Sequence, residues 1–366
     1  MRVVYVSKAL VMGAYQRKLE ELARIPGMQL TAIVPGSWRE GRTTLRLERA
    51  HTAGYELIVA PLAFNGRFHL HFYPTLGRLL RRLRPDVLHM DEEPYNLATW
   101  HALAAGARAG AASLFFTWQN LSRRYPWPFR RMEQINYRRA AYALAGNRDA
   151  VAVLRGKGYA GPVAVIPQFG IDPALFAPGP RPDGPAFVIG YAGRLVAEKG
   201  VDVLLRACAR LGAAAWELRL LGDGPAAPAL AALAAELGLG ERVHFLGRRP
   251  STEMVEFYRG LDVLVLPSLS RPNWVEQFGR VLIEAMACGV PVVGSSCGEI
   301  PHVIGDAGLV FPEGDADALA HALDALARDP AARAAAAAAG RARVLARFTQ
   351  AQVAAATARV YAEMVG

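Results

Sequence analysis

Short apolar, β-rich runs recur along the chain, each followed by a loop and then by a stretch with apolar positions at helical spacing. In the first half the runs are Val3–Val6, Leu30–Val34, Leu57–Ala60, Val87–Met90, Ser113–Thr117 and Val163–Ile166. Helical stretches lie between them, as at Tyr15–Arg24 and Thr75–Leu83. A break follows at Pro178–Pro185, P-G-P-R-P-D-G-P, through which neither helix nor strand continues. The alternation then restarts. Strands are predicted at Phe187–Tyr191, Glu217–Leu221, Val243–Phe245, Val263–Leu266, Val290–Val293 and Gly308–Phe311. Helices are predicted at Val201–Leu211, Pro225–Leu237, Met254–Leu261 and Arg280–Cys288.

Alternating β and α units predict a parallel sheet with helices on both sides. Two such series in one chain give an α/β fold of two Rossmann-like domains facing across a cleft. The expected boundaries are 1–178, 179–346 and a tail at 347–366. Functional residues are expected in loops that follow strands, because open α/β sheets bind ligands beyond the carboxyl ends of their strands. The tail from Ala331 to Gly366 is Ala-rich and helical, interrupted at Phe348-Thr349, with Thr349 a candidate N-cap. Val353, Val360 and Met364 form its packing face.

Composition narrows the class. The 366 residues are 52% apolar, enough for two cores. No run approaches the roughly 18 apolar residues of a membrane span, and the N-terminal M-R-V-V-Y-V-S reads as a strand rather than a signal peptide. Cys208, Cys288 and Cys297 have neither metal-ligand nor disulfide spacing and suit a reducing cytosol, as small apolar filler. Net charge is +10, but residues 1–180 carry 24 Lys+Arg against 12 Asp+Glu, and residues 181–366 carry 18 against 20. The basic excess belongs to the first half. It suits a polyanion or an anionic membrane facing that half, or Arg-rich codon usage alone.

Two segments carry chemistry. Gly190–Gly200, G-Y-A-G-R-L-V-A-E-K-G, follows a strand and precedes a helix. Gly193 permits a sharp turn, and Arg194 and Lys199 set two cations near a helix N-terminus, which favours anions. The alternative is a solvated loop with an Arg194–Glu198 pair. The second segment, Pro267–Val293, holds Glu276 and Glu284 on either side of a strand-to-helix turn at Phe278-Gly279. Glu284 falls on an otherwise apolar helix face, where a carboxylate needs a partner. A ligand hydroxyl or an arginine would serve. Glu276 either caps the helix or accepts from sugar hydroxyls, with the Phe278 and Gly279 amides facing a phosphate or sugar oxygen.

These residues together resemble glycosyltransferase family 4, of the two-domain GT-B fold. Gly193-Arg194 with Lys199-Gly200, then Gly222-Asp223-Gly224-Pro225, then Glu276-Gln277-Phe278-Gly279 with Glu284, match the family's loops in order. Pro267-Ser268, Ala287–Val293 and Ile166–Asp172 match as well. The resemblance covers nearly the whole second half. It implies a retaining hexosyltransferase that moves a sugar from a UDP- or GDP-sugar to a hydroxyl of a glycan or lipid-linked acceptor in cell-envelope or polysaccharide synthesis. It further implies a C-terminal helix returning to the N-terminal domain and no metal or other cofactor. Arg194 and Lys199 would neutralise the diphosphate, Glu284 would bind the ribose and Glu276 a hydroxyl of the transferred sugar. Gly193, Gln277, Phe278 and Gly279 would line the donor site, with Leu246 and Arg248 at the base. Gly13 would approach the distal phosphate. The departing β-phosphate oxygen would take the acceptor proton on the front face.

Three positions depart from the pattern. Met12-Gly13 stands where two glycines are usual, Gln119 where many members carry His, and His302 where Glu follows Pro301. Gln119 cannot act as a base but can hydrogen-bond a sugar hydroxyl. His89, Asp91 and Glu93, in H-M-D-E-E-P, are the candidate acceptor ligands, with Glu92 beside them. Arg123–Arg131, R-R-Y-P-W-P-F-R-R, interleaves aromatic and basic residues and suits an anionic membrane surface, with Arg78–Arg84 adding to it. The expected location is cytoplasmic, peripheral on the inner face of the plasma membrane. Asp315-Ala316-Asp317 precedes a helix, where capping is the ordinary role of Asp. Two rival functions share features with this reading. A sugar-nucleotide epimerase can have the same architecture, and the pI near 9.8 suits nucleic-acid binding, although no nucleic-acid motif is present and none is expected as a partner.

Overall fold

The computed structural model describes residues 1–41, 43–180, 184–212, 215–250 and 253–366. The chain forms two units, Met1–Gly170 with Gln350–Gly366, and Ile171–Thr349. The division falls at Gly170, ahead of the Pro-rich break rather than at 178, and residues 181–183 of that break lie outside the described residues. Hydrogen bonds explain the position. Gly170 exchanges two with the Gln350 side chain, at 3.1 and 2.9 Å, whereas Ile171 N–H donates to the Phe348 carbonyl at 2.9 Å. Each crossing of the chain is therefore tied to the other on its own side.

The first unit has strands β1 (Arg2–Val6), β2 (Gln29–Pro35), β3 (Ser37–Glu40), β4 (Thr43–Arg46), β5 (Glu56–Ala60), β6 (Val87–Met90), β7 (Ala112–Thr117), β8 (Tyr142–Ala145) and β9 (Val163–Val165). Seven make one parallel sheet in the order β5-β2-β1-β6-β7-β8-β9, and β3 and β4 form an antiparallel hairpin. The short hairpin and β8 were not predicted from the sequence. On one face of the sheet Tyr5, Leu30, Ala32, Leu114 and Phe116 pack with Val353, Val360 and Tyr361 of helix Gln350–Val365. The C-terminal helix thus returns to the first unit on the predicted apolar face. On the other face Val4, Val6, Ile33, Leu88 and Met90 pack against helices Leu76–Leu83 and Leu97–Arg108.

The second unit has β10 (Phe187–Ala192), β11 (Trp216–Leu221), β12 (Val243–Gly247), β13 (Val263–Leu266), β14 (Val292–Ser295) and β15 (Leu309–Phe311), all parallel, in the order β12-β11-β10-β13-β14-β15. β10 and β13 are buried at every position, as strands covered on both faces must be. The three cysteines are buried and free.

Candidate active site

The strand order of the second sheet reverses between β10 and β13. Ligands bind beyond the carboxyl ends of strands at such a switch point. The segments leaving those two strands carry Gly193, Arg194 and Lys199, and Ser268 and Glu276. They interlock through backbone. Leu269 N–H donates to the Glu198 carbonyl at 2.8 Å. A Cβ on Gly200, at φ +62°, would lie 2.0 Å from the Pro267 carbonyl oxygen. A third loop, Gly222–Gly224 after β11, joins them. Leu195 N–H donates to the Asp223 carbonyl at 2.9 Å, and a Cβ on Gly222 would meet the Gly193 carbonyl oxygen at 1.8 Å. Only glycine allows this approach of chain to chain.

The loops wall a cavity of about 520 Å³ lined by Gly193, Arg194, Asp223, Arg248, Met254 and Val281, among others. That volume suits a small organic ligand. Arg194 is held only loosely, 3.7 Å from Glu198, with 68% of its side chain exposed. Its guanidinium is available to an anion in the cavity. Lys199 Nζ donates to Glu276 Oε2 at 2.5 Å, and the Ser268 hydroxyl donates to the same oxygen at 2.8 Å. Lys199 also sits 4.9 Å from the Trp274 ring centre. The expected phosphate cation and the expected sugar-binding carboxylate are thus one ion pair, 15% and 10% exposed. Both bonds use Oε2, which leaves Oε1 to accept from a hydroxyl.

The remaining candidate donor residues divide. Gly279, at φ +78°, is the N-cap of helix Arg280–Ala287, so Glu276 does not cap it. Gln277 is exposed and Phe278 packs edge-on to Phe348, 5.8 Å between centroids. Glu284 finds its partners within the chain. Its Oε1 accepts from Arg280 Nε and its Oε2 from the Tyr258 hydroxyl, both at 2.7 Å. The arginine answer therefore holds, with a phenol added. Leu246 is partly buried against the core, whereas Arg248 lines the cavity. Asp315 accepts from the amides of Asp317 and Ala318, and Asp317 pairs with Arg210 at 2.8 Å. Among the described residues no group of three or more His, Cys, Asp or Glu is placed to hold a metal.

In the first sheet the order reverses between β1 and β6, which brings Ser7 and Lys8 beside Asp91, Glu92 and Glu93. Three expected contacts change here. His89 is wholly buried, with Nδ1 2.6 Å from the Tyr361 hydroxyl. Burial first, then Lys18, holds its imidazole well below the usual range. It ties the sheet to the C-terminal helix and does not reach a surface. Asp91 is buried too, accepting on Oδ2 from the Ser7 hydroxyl at 2.7 Å and Gln168 Nε2 at 2.9 Å. Its carboxyl is pushed up by burial. Lys18, also buried, donates to the Gln168 carbonyl at 3.1 Å, and burial lowers its amine to about 8. Gly13 N–H donates to Glu48 Oε2 at 2.7 Å, so that carboxylate occupies the amide expected at a phosphate. Strand alternation alone would have placed His89 in the core, but Lys18, Glu48 and Tyr258 carry no local signal of their partners.

Gln119 is buried. Its Oε1 accepts from Lys157 Nζ at 3.2 Å, while Nε2 has no partner among the described residues. Its backbone N–H donates to Thr117 Oγ1 at 3.0 Å, and Thr117 donates to Glu93 Oε2 at 2.6 Å. Trp118 N–H donates to Glu93 Oε1 at 2.8 Å. Despite these bonds, burial raises the Glu93 carboxyl to about 7. A carboxyl whose pKa is higher folded than unfolded binds more protons in the folded state between the two values. Stability then falls as pH rises from about 4.5 through 7. Urea titrations at pH 4.5 to 8 should show Glu93→Gln losing less stability over that window than the parent. Equal losses would show that Glu93 ionises without cost.

Residues 176–343 match the profile of glycosyl transferases group 1, and residues 12–168 that of the glycosyl transferase 4-like domain. The chain belongs to glycosyltransferase family 4. It is 41% identical over 209 residues to a D-inositol 3-phosphate glycosyltransferase of Stackebrandtia nassauensis, an alignment covering 51% of this chain and 45% of that protein. A D-inositol 3-phosphate glycosyltransferase of Mycobacterium sp. (strain KMS) is 38% identical over 180 residues, covering 44% and 39%. These alignments span less than half of either relative. Among solved structures, a glycosyltransferase from Rickettsia africae superposes with TM-score 0.75 at 18% identity, covering 100% of this chain and 98% of that one. HepE of Anabaena, solved in complex with UDP, gives 0.74 at 20%, covering 99% and 100%. The fold is GT-B.

Proposed function

We propose that this protein is a retaining, metal-independent hexosyltransferase that takes its sugar from a UDP- or GDP-linked donor and passes it to a hydroxyl of a glycan or lipid-linked acceptor. The observation that carries this reading is the cavity lined by Arg194 and Arg248 beside the Lys199–Glu276 pair. Arg194 holds the diphosphate through two parallel hydrogen bonds, and Lys199 adds a point charge. Glu276 Oε1 accepts from a hydroxyl of the transferred sugar. Charge developing on the departing diphosphate is stabilised by groups already in place, which is where catalysis by preorganised donors gains most. The ribose contact assigned to Glu284 shares its carboxylate with Tyr258 and Arg280. Among the UDP and GDP donors, UDP-sugars are favoured by the HepE likeness, since that protein was solved with UDP and with UDP-glucose.

The acceptor belongs to the first unit, around Glu93 and Gln119. Trp127, 80% exposed amid Arg123, Arg124, Arg130 and Arg131, suits contact with an anionic membrane on a cytoplasmic face. Among the described residues no helix is long and apolar enough to cross a membrane.

A thermal-shift panel of nucleoside diphosphates and their sugars tests the donor. A ligand at about a hundred times its Kd adds about 2.7 kcal/mol to stability. UDP or GDP compounds should raise the midpoint where other nucleotides do not. A flat response across the panel would sink the reading.

A further inference from the structure

On the side of the first sheet away from the C-terminal helix, a second cavity of about 290 Å³ opens between helices Leu76–Leu83 and Leu97–Arg108. Its polar wall is Thr75, Arg78, Arg81, His101 and Arg108. No carboxylate lines it, and among the described residues none of the three arginines has an ion-pair partner. The neutral polar groups are unsatisfied as well. Thr75 Oγ1 and His101 Nδ1 are buried without a hydrogen-bond partner among the described residues. Thr75 stands at the N-cap of helix Leu76–Leu83, where a threonine hydroxyl ordinarily bonds the first turn, yet it makes no such bond. Helix dipoles account for Arg81 and Arg108 singly, each in the last turn of its own helix. They do not account for three guanidinium groups around one cavity, or for two buried polar atoms, on residues of its wall, that lack partners among the described residues. Buried polar atoms without partners are uncommon enough in folded proteins that each requires a cause.

We propose that this cavity is a binding site for a phosphate-type oxyanion, a phosphomonoester or diphosphate carried by a free solute or by a lipid headgroup. Arginine forks match phosphate oxygens in pairs, and the His101 imidazole on the same wall supplies a further donor. The volume lies just below the range of drug-sized pockets, which suits a headgroup-sized anion rather than a nucleoside. Burial, and then Arg108, holds the His101 imidazole below its usual range. A bound anion offsets the Arg108 charge and so favours the imidazolium. The site lies wholly in the first unit and does not depend on the donor assignment in the second.

Inorganic pyrophosphate, titrated calorimetrically into the full chain, is the probe. Arg78→Gln with Arg108→Gln should weaken binding by about tenfold or more, as expected for lost charge-assisted hydrogen bonds. Arg194→Gln should leave this binding component in place, which separates it from the donor site. Imidazole NMR should show the His101 pKa rising with pyrophosphate in the parent chain and not in the double variant. Both arginines are exposed, so an unchanged melting temperature is expected to confirm an intact fold. Sedimentation with phosphatidylcholine vesicles, with and without phosphatidic acid, identifies the source. Recruitment that needs phosphatidic acid and is lost in the double variant assigns a headgroup; pyrophosphate binding without recruitment assigns a free solute. Pyrophosphate binding indifferent to the double variant, or an unmoved His101, overturns the proposal.

Discussion

Arg194→Ala should lower kcat by about a hundred- to a thousandfold, the cost of removing one preorganised donor from a developing negative charge, about 3–4 kcal/mol. Its fold should be untouched. The side chain is 68% exposed, and its one ion pair among the described residues, to Glu198, is long at 3.7 Å. Surface positions of this kind usually change stability by less than about 0.5 kcal/mol. The combination is diagnostic, because a scaffold residue would lose stability and activity together. Arg194→Lys should recover only part of the rate, since an ammonium cannot bind two phosphate oxygens in one plane. Steady-state kinetics beside a urea titration would decide the matter. An Arg194→Ala enzyme within about threefold of the parent rate would remove Arg194 from the diphosphate, far outside the range expected of such a donor.

Glu276→Ala should be as damaging to transfer, about a thousandfold, but through a different step. A site built to hydrogen-bond a hydroxyl loses most of its discrimination when that partner is removed. Lys199 loses its 2.5 Å partner and is released towards the diphosphate. The affinity for the free nucleoside diphosphate should therefore hold or improve while transfer collapses. Glu276→Gln should fall between, keeping an acceptor for the sugar hydroxyl and giving up the charge. Direct titration of UDP and GDP into each variant, alongside turnover, separates the steps. If nucleotide affinity drops in parallel with turnover, Glu276 acts by placing Lys199 and not by holding the sugar.

Much of the candidate site in the second unit was legible because its motifs are local. Gly193, Arg194 and Lys199 lie within one strand-loop-helix unit, and their spacing reports a turn that carries two cations. The two-sheet fold was legible for the same reason, as apolar runs alternating with helical stretches. The acceptor-side residues misled where sequence proximity stood in for position. His89 and Asp91 sit beside Glu93 in the chain, yet His89 lies within a strand facing the core and Asp91 is held by Ser7 and Gln168. The Ser37–Glu40 and Thr43–Arg46 hairpin was missed because it is short and half polar.

The sequence by itself determined the order of strands and helices, the glycines at which backbones meet, and the charged residues available after β10 and β13. Periodicity and turn chemistry act over a few residues, so they can be read without a fold. Only the tertiary structure decided the partners. It set Lys199 on Glu276, 77 residues away, Tyr258 on Glu284, 26 away, and Tyr361 on His89, 272 away. It also turned three arginines of two helices towards a single cavity. Those pairings depend on which strands lie side by side and which helix face covers them, and sheet order is settled by packing across the whole unit.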